Sequence, residues 1–446
     1  MARQDVDTGW RERCGDRLME PKEAIKAVVR PGDRIWCGGW TSVPLTLCNA
    51  LAELASEMRG CEILTFLTPF NWDRPEVLEH LRIISLYAGP FERKAVNEGR
   101  FDYIPVIRWR THTLPPILDN RFRVALIPIS PPDEEGWCSF SGGVWFGQTV
   151  RRHAEQLVGE IRPGTIRTGG ENRIHISEFA AVAETAPITA PPPIPPRSPE
   201  TEAAANVICT LVAHEILRDR ATVQIGVGDV SAAMPAFMEH LHDIGIHSEL
   251  IPGGIADLVE KGVVTGKYKG LHDGKVVGTG FAQLSQEEYQ RIDGNPAFEL
   301  YDFTYTDDIQ NLLRLHNFFA INNALAVDLT GNVCAETMGT QIYSGPGGQT
   351  VFAFAAATTN NASVTVLPCS QVLSSGERVS RIVPMLEPGS MITVHRGYTD
   401  YVVTEQGIAR LTGKTIRQRI DELISVAHPD FRGELRAQAR KLYGVG

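Results

Sequence analysis

Residues 221–241 read ATVQIGVGDVSAAMPAFMEHL. The run at 222–225, TVQI, is rich in β-branched residues and has the length of a strand. Gly226 and Gly228 interrupt it, and an apolar pattern of helical spacing follows, so the order is strand, glycine turn, helix. Residues 34–51 repeat that order: a strand at 34–37, the turn Gly38-Gly39, and a helix at 44–57 opened by Pro44, where a missing N–H costs least. A short helix at 19–29 precedes this copy. Strand-like runs recur at 62–66, 81–86, 103–107 and 124–129, alternating with helical stretches, which is the pattern of a mainly parallel sheet covered on both faces. Between the two copies lies PITAPPPIPPRSP, residues 187–199, too rich in proline to form a core and suited to an extended, semi-rigid linker. The expected organisation is an α/β domain over 1–186, a linker over 187–200 and a second α/β domain over 201–446.

The second half continues the same alternation. A helix at 201–219 lines up Ile208, Leu211, Val212 and Ile216. A strand at 319–328 runs into the hairpin-type turn Thr330-Gly331-Asn332, and further strands are expected at 363–367 and 401–405. Residues 416–427 are amphipathic, with Ile416, Ile420, Leu423 and Ile424 on one side, and His428-Pro429 stops them.

Composition bounds the function. With 446 residues, 43% hydrophobic and 22% charged, the chain has the make-up of a soluble globular protein of two or three domains. No apolar run approaches the roughly 20 residues of a membrane span, and the N-terminal stretch lacks an export signal, so a cytoplasmic location without a membrane partner is expected. A formal net charge of -10 argues against a nucleic-acid partner. It does not exclude an anionic small ligand, because backbone amides at helix starts hold phosphate without net positive charge. The eight cysteines are scattered with no CxxC, which reads as buried thiols, and with no HExxH a metal site is not expected.

Candidate functional residues cluster in the second half. In GIHSELIPGGIADLVEKG, residues 245–262, Glu249 falls where a strand gives way to a helix that Gly262 is placed to end. Carboxylates presented there act as nucleophiles or general bases, although the pattern alone favours a solvated loop acid. The Gly226–Gly228 turn exposes N–H groups for a phosphate or oxyanion, or is a tight turn with no ligand. SGPGGQ, residues 344–349, is a second glycine-rich loop. Asn322 and Asn323 either reach into a site or satisfy backbone, and Trp40, Phe140, Trp145 and Phe146 either line a substrate pocket or fill core.

Taken in order, ATVQIGVGDV, GIHSEL, DLVEKGVVTG, AINNALAVDLTGNV, YSGPGGQ, VSRIVPMLEPGSMITVHR and YVVTEQGIARLTGKTIRQRIDELISVAHPDFR, with EEGWCSFSGG and IHISEF in the first half, resemble the acetyl-CoA hydrolase/transferase family. This is the group of class I CoA-transferases of the 4-hydroxybutyrate and butyrate:acetate type. The resemblance implies two open α/β/α domains with the active site between them. It places Glu249, in His247-Ser248-Glu249, on the family's catalytic glutamate. Gly226, Val227, Gly228, Asp229 and Val230 fall on its first CoA-contacting loop, Gly345, Gly347 and Gly348 on its glycine loop near the acyl-CoA, and Asn322 or Asn323 on a strand bordering the CoA site. The implied partners are an acyl-CoA and a small carboxylic acid, with CoA as substrate and no tightly bound cofactor, in a homodimer. A thioesterase on the same fold and a non-catalytic acyl-CoA binding protein are the alternatives. The chain departs from the family at Leu250 to Gly254, at Thr350 to Phe352, at Asn361 to Ser363 and at Gln406, which bears on the substrate pair.

Overall fold

The computed structural model of the chain describes residues 9–106, 122–185, 198–282, 284–359 and 361–445. Two compact units result: Met1–Pro192 with Val277–Thr306, and Pro193–Val276 with Asp307–Gly446. A single cut at the proline-rich stretch therefore misses one feature, since Val277–Thr306 belongs with the first unit and not with a continuous domain over 201–446. The fixing interactions are visible. Asp302 accepts hydrogen bonds from the backbone N–H and hydroxyl of Thr149 at 2.8 and 2.9 Å, and the Phe303 ring packs on Trp145 and Phe146 with centroids 5.3 and 4.7 Å apart. Most of the expected linker, residues 186–197, lies outside the described residues; its last part opens a helix, with Ser198 as cap accepting from the Thr201 N–H.

The first unit's main sheet is built from β1 Arg34–Gly39, β2 Glu62–Phe66, β3 Arg82–Ser85, β4 Asp102–Tyr103, β5 Val124–Ile129, β6 Gln156–Ile161 and β7 Ala181–Glu184. They form one sheet in the order β7-β6-β5-β1-β2-β3-β4, every pairing parallel. All six residues of β5 are buried, as a strand covered on both faces requires. The expected turn Gly38-Gly39 is instead the irregular end of β1, where the register against β2 shifts between Trp36 and Gly39. The strand expected at 103–107 is shorter than read, ending at Tyr103, and residue 107 lies outside the described set. Helix α1, Pro21–Val28, and helix α2, Leu45–Glu53, flank β1 in sequence. The buried Glu160 holds the start of α2 by accepting the N–H groups of Thr46 and Leu47 at 2.8 and 3.0 Å. Its other oxygen takes the buried Arg162 at 2.8 Å, whose guanidinium also donates to the Thr41 and Val43 carbonyls.

The second unit contains helix α3, Pro199–Glu215, and the strands β8 Thr222–Ile225, β9 Gly245–His247, β10 Phe318–Asn323, β11 Ala362–Val366, β12 Tyr401–Thr404 and β13 Gly407–Arg410. Within this unit they pair as β9-β8-β10-β11-β12-β13, parallel except for the last pair. The helix expected after Gly228 is a 3-10 turn, Ser231–Phe237, because Pro235 supplies no N–H to an α-helical ladder. The strand expected at 319–328 breaks at Ala324. A short strand, Ala326–Asp328, then turns back on Val333–Cys334, and Asp328 accepts the N–H groups of Thr330, Gly331 and Asn332 at 2.8–3.1 Å. The amphipathic segment near the C-terminus is a helix over Ile416–Ser425, opened by a capping box between Thr415 and Gln418. Ile420, Leu423 and Ile424 are buried in it, whereas Ile416, in the first turn, is exposed.

Glu92 in the first unit is buried and accepts the N–H groups of Thr68 and Gly89 at 3.1 and 3.0 Å and the hydroxyl of Ser85 at 3.1 Å, tying together the loops after β2 and β3. Burial pushes its carboxyl up from 4.5 to about 7, against those hydrogen bonds. A raised carboxyl favours the folded state while protonated, so this contribution is full below the unfolded value near 4.5 and is lost as pH climbs through 7. Glu92→Gln keeps an acceptor for both N–H groups and a donor for Ser85. It is therefore predicted to gain stability over the parent chain between pH 5 and 8, by on the order of 3 kcal/mol. Denaturant unfolding at the two pH values measures this, and identical pH dependence in both proteins would contradict it.

Candidate active site

The connectivity of the second unit sets the location. From β8 the chain moves to β9 on one side, and it returns to β10 on the other. The loops leaving the carboxyl ends of β8 and β10 therefore diverge, and such a switch point is where open α/β sheets bind ligands. Gly226 to Val230 follow β8 directly, and Asn322 and Asn323 are the last residues of β10. The structure thus brings these predicted residues together.

Their side chains act mainly on one another. Asn322 and Gln224 exchange amide hydrogen bonds at 2.9 and 3.1 Å across the buried ends of β10 and β8. Asn323 donates to the Val227 carbonyl at 3.2 Å and to the Ser231 hydroxyl at 2.5 Å, and accepts the Val230 N–H at 3.3 Å. One amide therefore holds both ends of the glycine loop. The glycines allow that approach: an ideal Cβ would lie 2.4 Å from Asn322 Oδ1 at Gly226 and 2.3 Å from Asn323 Nδ2 at Gly228. The Gly226 N–H is donated to the Ile321 carbonyl at 2.8 Å, so it is not a donor for a ligand. Val227 and Asp229 are the exposed members of the loop, and Val230 is buried.

Glu249 lies one strand further on. It is half-buried at a bend between β9 and a second short strand, Leu250–Pro252, and the helix Ile255–Glu260 begins only after Gly254, at φ 89°. The expected single strand-to-helix turn is thus a strand, a bend carrying Glu249, a second strand and then a helix. Ser248 fixes the bend. Its buried hydroxyl donates to the Ile225 carbonyl at 3.1 Å and accepts the Ile225 N–H at 3.2 Å, which locks Glu249 to the residue immediately before the first glycine loop.

The second glycine loop closes on Glu249. Residues 344–348 lead into helix α4, Gln349–Thr358, with Gly347 at φ 57° and Gly348 as N-cap. Tyr343 and Ser344 donate backbone N–H groups to the Glu336 carbonyl at 2.7 and 3.0 Å, and Thr350 donates its hydroxyl to the Thr393 carbonyl at 2.7 Å. An ideal Cβ on Gly348 would lie 2.6 Å from Glu249 Oε2, 2.6 Å from the Phe352 ring and 2.7 Å from Asp307 Oδ2. Two carboxylate oxygens therefore face one point at the amino end of a ten-residue helix, where the dipole favours negative charge. Glu249 and Gly348 come together as the sequence suggests. Asp307, fully buried, is a site residue that the sequence reading missed. Nothing local marks it, since the adjacent Asp308 carries the visible role of capping Ile309–Leu312.

Glu405, beside Gln406, accepts the Cys369 backbone N–H at 2.9 Å and its thiol at 2.7 Å, and burial, with Glu405, pushes that thiol up to about 12. In the first unit Trp36, Phe66, Phe140, Trp145 and Phe146 wall a slot at the carboxyl ends of β1 and β5, which is that unit's own switch point. Trp40, Leu67, Ser141 and Trp145 around it all have φ between 43 and 75°, a strained setting for residues with side chains. Phe140, Trp145 and Phe146 are fully packed, and Trp40 is half-exposed. Among the described residues no group of three His, Cys, Asp or Glu side chains is placed to hold a metal, and no helix is long and apolar enough to cross a membrane.

Residues 285–439 match the model of the acetyl-CoA hydrolase/transferase C-terminal domain. The chain is 32% identical over 440 residues to the 4-hydroxybutyrate coenzyme A transferase of Clostridium kluyveri, covering 97% of this chain and 100% of that one. It is 33% identical to the succinyl-CoA:cyclohexane-1-carboxylate CoA transferase of Geobacter metallireducens, covering 98% of each. The crystal structure of RipA from Yersinia pestis superposes with a TM-score of 0.87 at 27% identity, over 97% of this chain and 99% of that one.

Crowding at Gly348 is testable without reference to any activity. Gly348→Ala forces a methyl onto two carboxylates and a ring, and overpacking of that kind costs about 1–3 kcal/mol. Gly433→Ala, at an exposed position of the helix Arg432–Tyr443 with nothing within 4 Å, is predicted to stabilise by about 0.5–1 kcal/mol. Urea unfolding of the two variants should move in opposite directions; equal shifts would contradict the packing described.

Proposed function

The chain belongs to the acetyl-CoA hydrolase/transferase family, and we propose that it moves CoA from an acyl-CoA to a carboxylic acid through a covalent adduct on Glu249. The observation that carries this reading is the placement of the Glu249 carboxylate. Ser248 fixes its backbone to the end of β8, and its Oε2 is directed at the bare backbone of Gly348.

The chemistry follows from the nucleophile. A Glu249 oxygen attacks the thioester carbonyl carbon, the C–S bond breaks, and CoA leaves as thiolate from a mixed acyl-glutamyl anhydride. The thiolate then attacks the glutamyl carbonyl and expels the first carboxylate, leaving CoA as a thioester on Glu249. A second carboxylate reverses these steps and departs as the new acyl-CoA. An anhydride preserves the transfer potential that a serine ester would dissipate. Each tetrahedral intermediate carries an oxyanion, and a pre-placed backbone donor is worth roughly 3–4 kcal/mol. N–H groups of the loop at Gly347 and Gly348 are the candidates, since that of Gly226 is already engaged. The loop from Gly226 to Val230, held rigid by Asn323, is the candidate contact for the coenzyme, with Val227 and Asp229 presented outward. The acids named for two relatives, 4-hydroxybutyrate and cyclohexane-1-carboxylate, mark the range of acceptors to screen.

Replacing Glu249 by Gln should leave the chain folded and abolish exchange between an acyl-CoA and an acceptor acid. Glu249→Asp withdraws the oxygen by one methylene and should lower the rate on the order of 10²-fold. Exchange followed by mass spectrometry reads both. Normal turnover in the Gln variant would refute the mechanism, and thiol release independent of any acceptor acid would make the protein a thioesterase.

A further inference from the structure

Arg381 brings a positive charge to the second unit's switch point. It lies between two short strands, Arg378–Ser380 and Ile382–Val383. Its backbone N–H donates to the Cys369 carbonyl and its carbonyl accepts the Val327 N–H, each at 2.9 Å. The half-buried side chain runs to the carboxyl end of β10. There Nε donates to the Leu325 carbonyl at 2.9 Å and Nη2 donates to that of Ala324. Both carbonyls directly follow Asn323, the residue that holds the loop from Gly226 to Val230. A guanidinium has five N–H donors in a planar fork, and these two bonds take up one edge of it. The other edge, Nη1 with the second N–H of Nη2, meets no acceptor among the described residues. Arg378, by contrast, is ion-paired to Glu200 at 2.5 Å. The groups that face Arg381 are Asp229 from the loop after β8, Glu405 after β12, Tyr343 and the Cys369 thiol. Among the described residues no carboxylate comes close enough to form an ion pair with it. Burial draws the guanidinium down from its ordinary value and the facing groups draw it back up, and it remains a cation.

We propose that the open edge of Arg381 binds a phosphate group of the coenzyme. The inference rests on the transferase reading and adds to it the residue that anchors the end of CoA remote from the thiol. Two parallel N–H donors match two oxygens of a phosphate, and a guanidinium whose other edge is already clamped loses little freedom in making that pair. Position selects the phosphate over the acceptor acid. The strand order β9-β8-β10 puts two strand spacings, about 10 Å, between the end of β9, which leads to Glu249, and the end of β10, where the guanidinium sits. A small acid bonded to Glu249 does not span that gap. The phosphates of CoA lie at the far end of the pantetheine arm and do. The exposed loop from Val227 to Asp229 lies between the two places, as a contact for that arm requires.

The test is equilibrium binding of CoA and of pantetheine, which keeps the thiol arm and lacks the phosphates, measured by calorimetry on the full chain at one ionic strength. Arg381→Gln should weaken CoA about 10- to 100-fold and leave pantetheine within about threefold of the parent. Arg381→Lys keeps the charge and loses the fork. It should weaken CoA less than the Gln variant does, again without moving pantetheine, and it serves alone if the Gln variant does not fold. If Arg381 does no more than clamp Ala324 and Leu325, the two ligands weaken together or neither does, and the inference is overturned. A raised KM for the acceptor acid with CoA binding unchanged gives the open edge to a carboxylate and overturns it equally. Binding needs no turnover, so these outcomes are separate from the exchange assay on Glu249. A parent chain that binds no CoA overturns the transferase reading, and the inference with it.

Discussion

A Cβ on Gly348 has nowhere to go: within 2.7 Å of its ideal position lie Glu249 Oε2, Asp307 Oδ2 and the edge of Phe352. The missing side chain leaves room for a carboxylate at the amino end of α4, where the helix dipole favours negative charge. Every larger feature of the second unit converges on that approach. The loop Ser344 to Gly348 is anchored through Glu336 and Thr393 so that the glycine is held still, and Ser248 anchors the opposing side. A carboxylate held between two anchored segments is pre-oriented, which is what the nucleophilic role proposed for Glu249 requires.

Strand order explains why these segments meet. In each unit the chain turns to one side of a central strand and later returns to the other, so both sheets have a switch point. In the second unit that point gathers the loop from Gly226 to Val230, the two asparagines and, one strand away, Glu249. In the first it gathers a slot of aromatic side chains with four strained residues around it. The shared grammar of the two halves has therefore produced similar geometry with different linings, polar in one and aromatic in the other.

Much of this was legible in the sequence. The strands at 62–66, 124–129 and 222–225 fall where β-branched content places them, and in VALIPI at 124–129 the apolar run is unbroken, as a parallel strand buried on both faces allows. The resemblance singled out Glu249 and both glycine loops, and the structure sets Glu249 against the second of them. What escaped has physical causes. Pro235 turns an apparent helix into a 3-10 segment, a local effect hidden in an otherwise helical pattern. Val277–Thr306 joins the first unit through Asp302 and Phe303, long-range contacts that leave no periodic trace. Asp307 was invisible for the same reason: its significance is a distance to Gly348, some forty residues on.

The central claim is that an oxygen of Glu249 bonds to the migrating acyl carbon. An acceptor acid labelled with oxygen-18 tests it directly, in unlabelled water. Passage through the anhydride leaves one heavy oxygen on the glutamate each time the new acyl-CoA departs, so the peptide carrying Glu249 should gain heavy oxygen during turnover and pass it to the acid released in the next cycle. Sustained exchange with no heavy oxygen in that peptide would mean that the acyl group never touches Glu249.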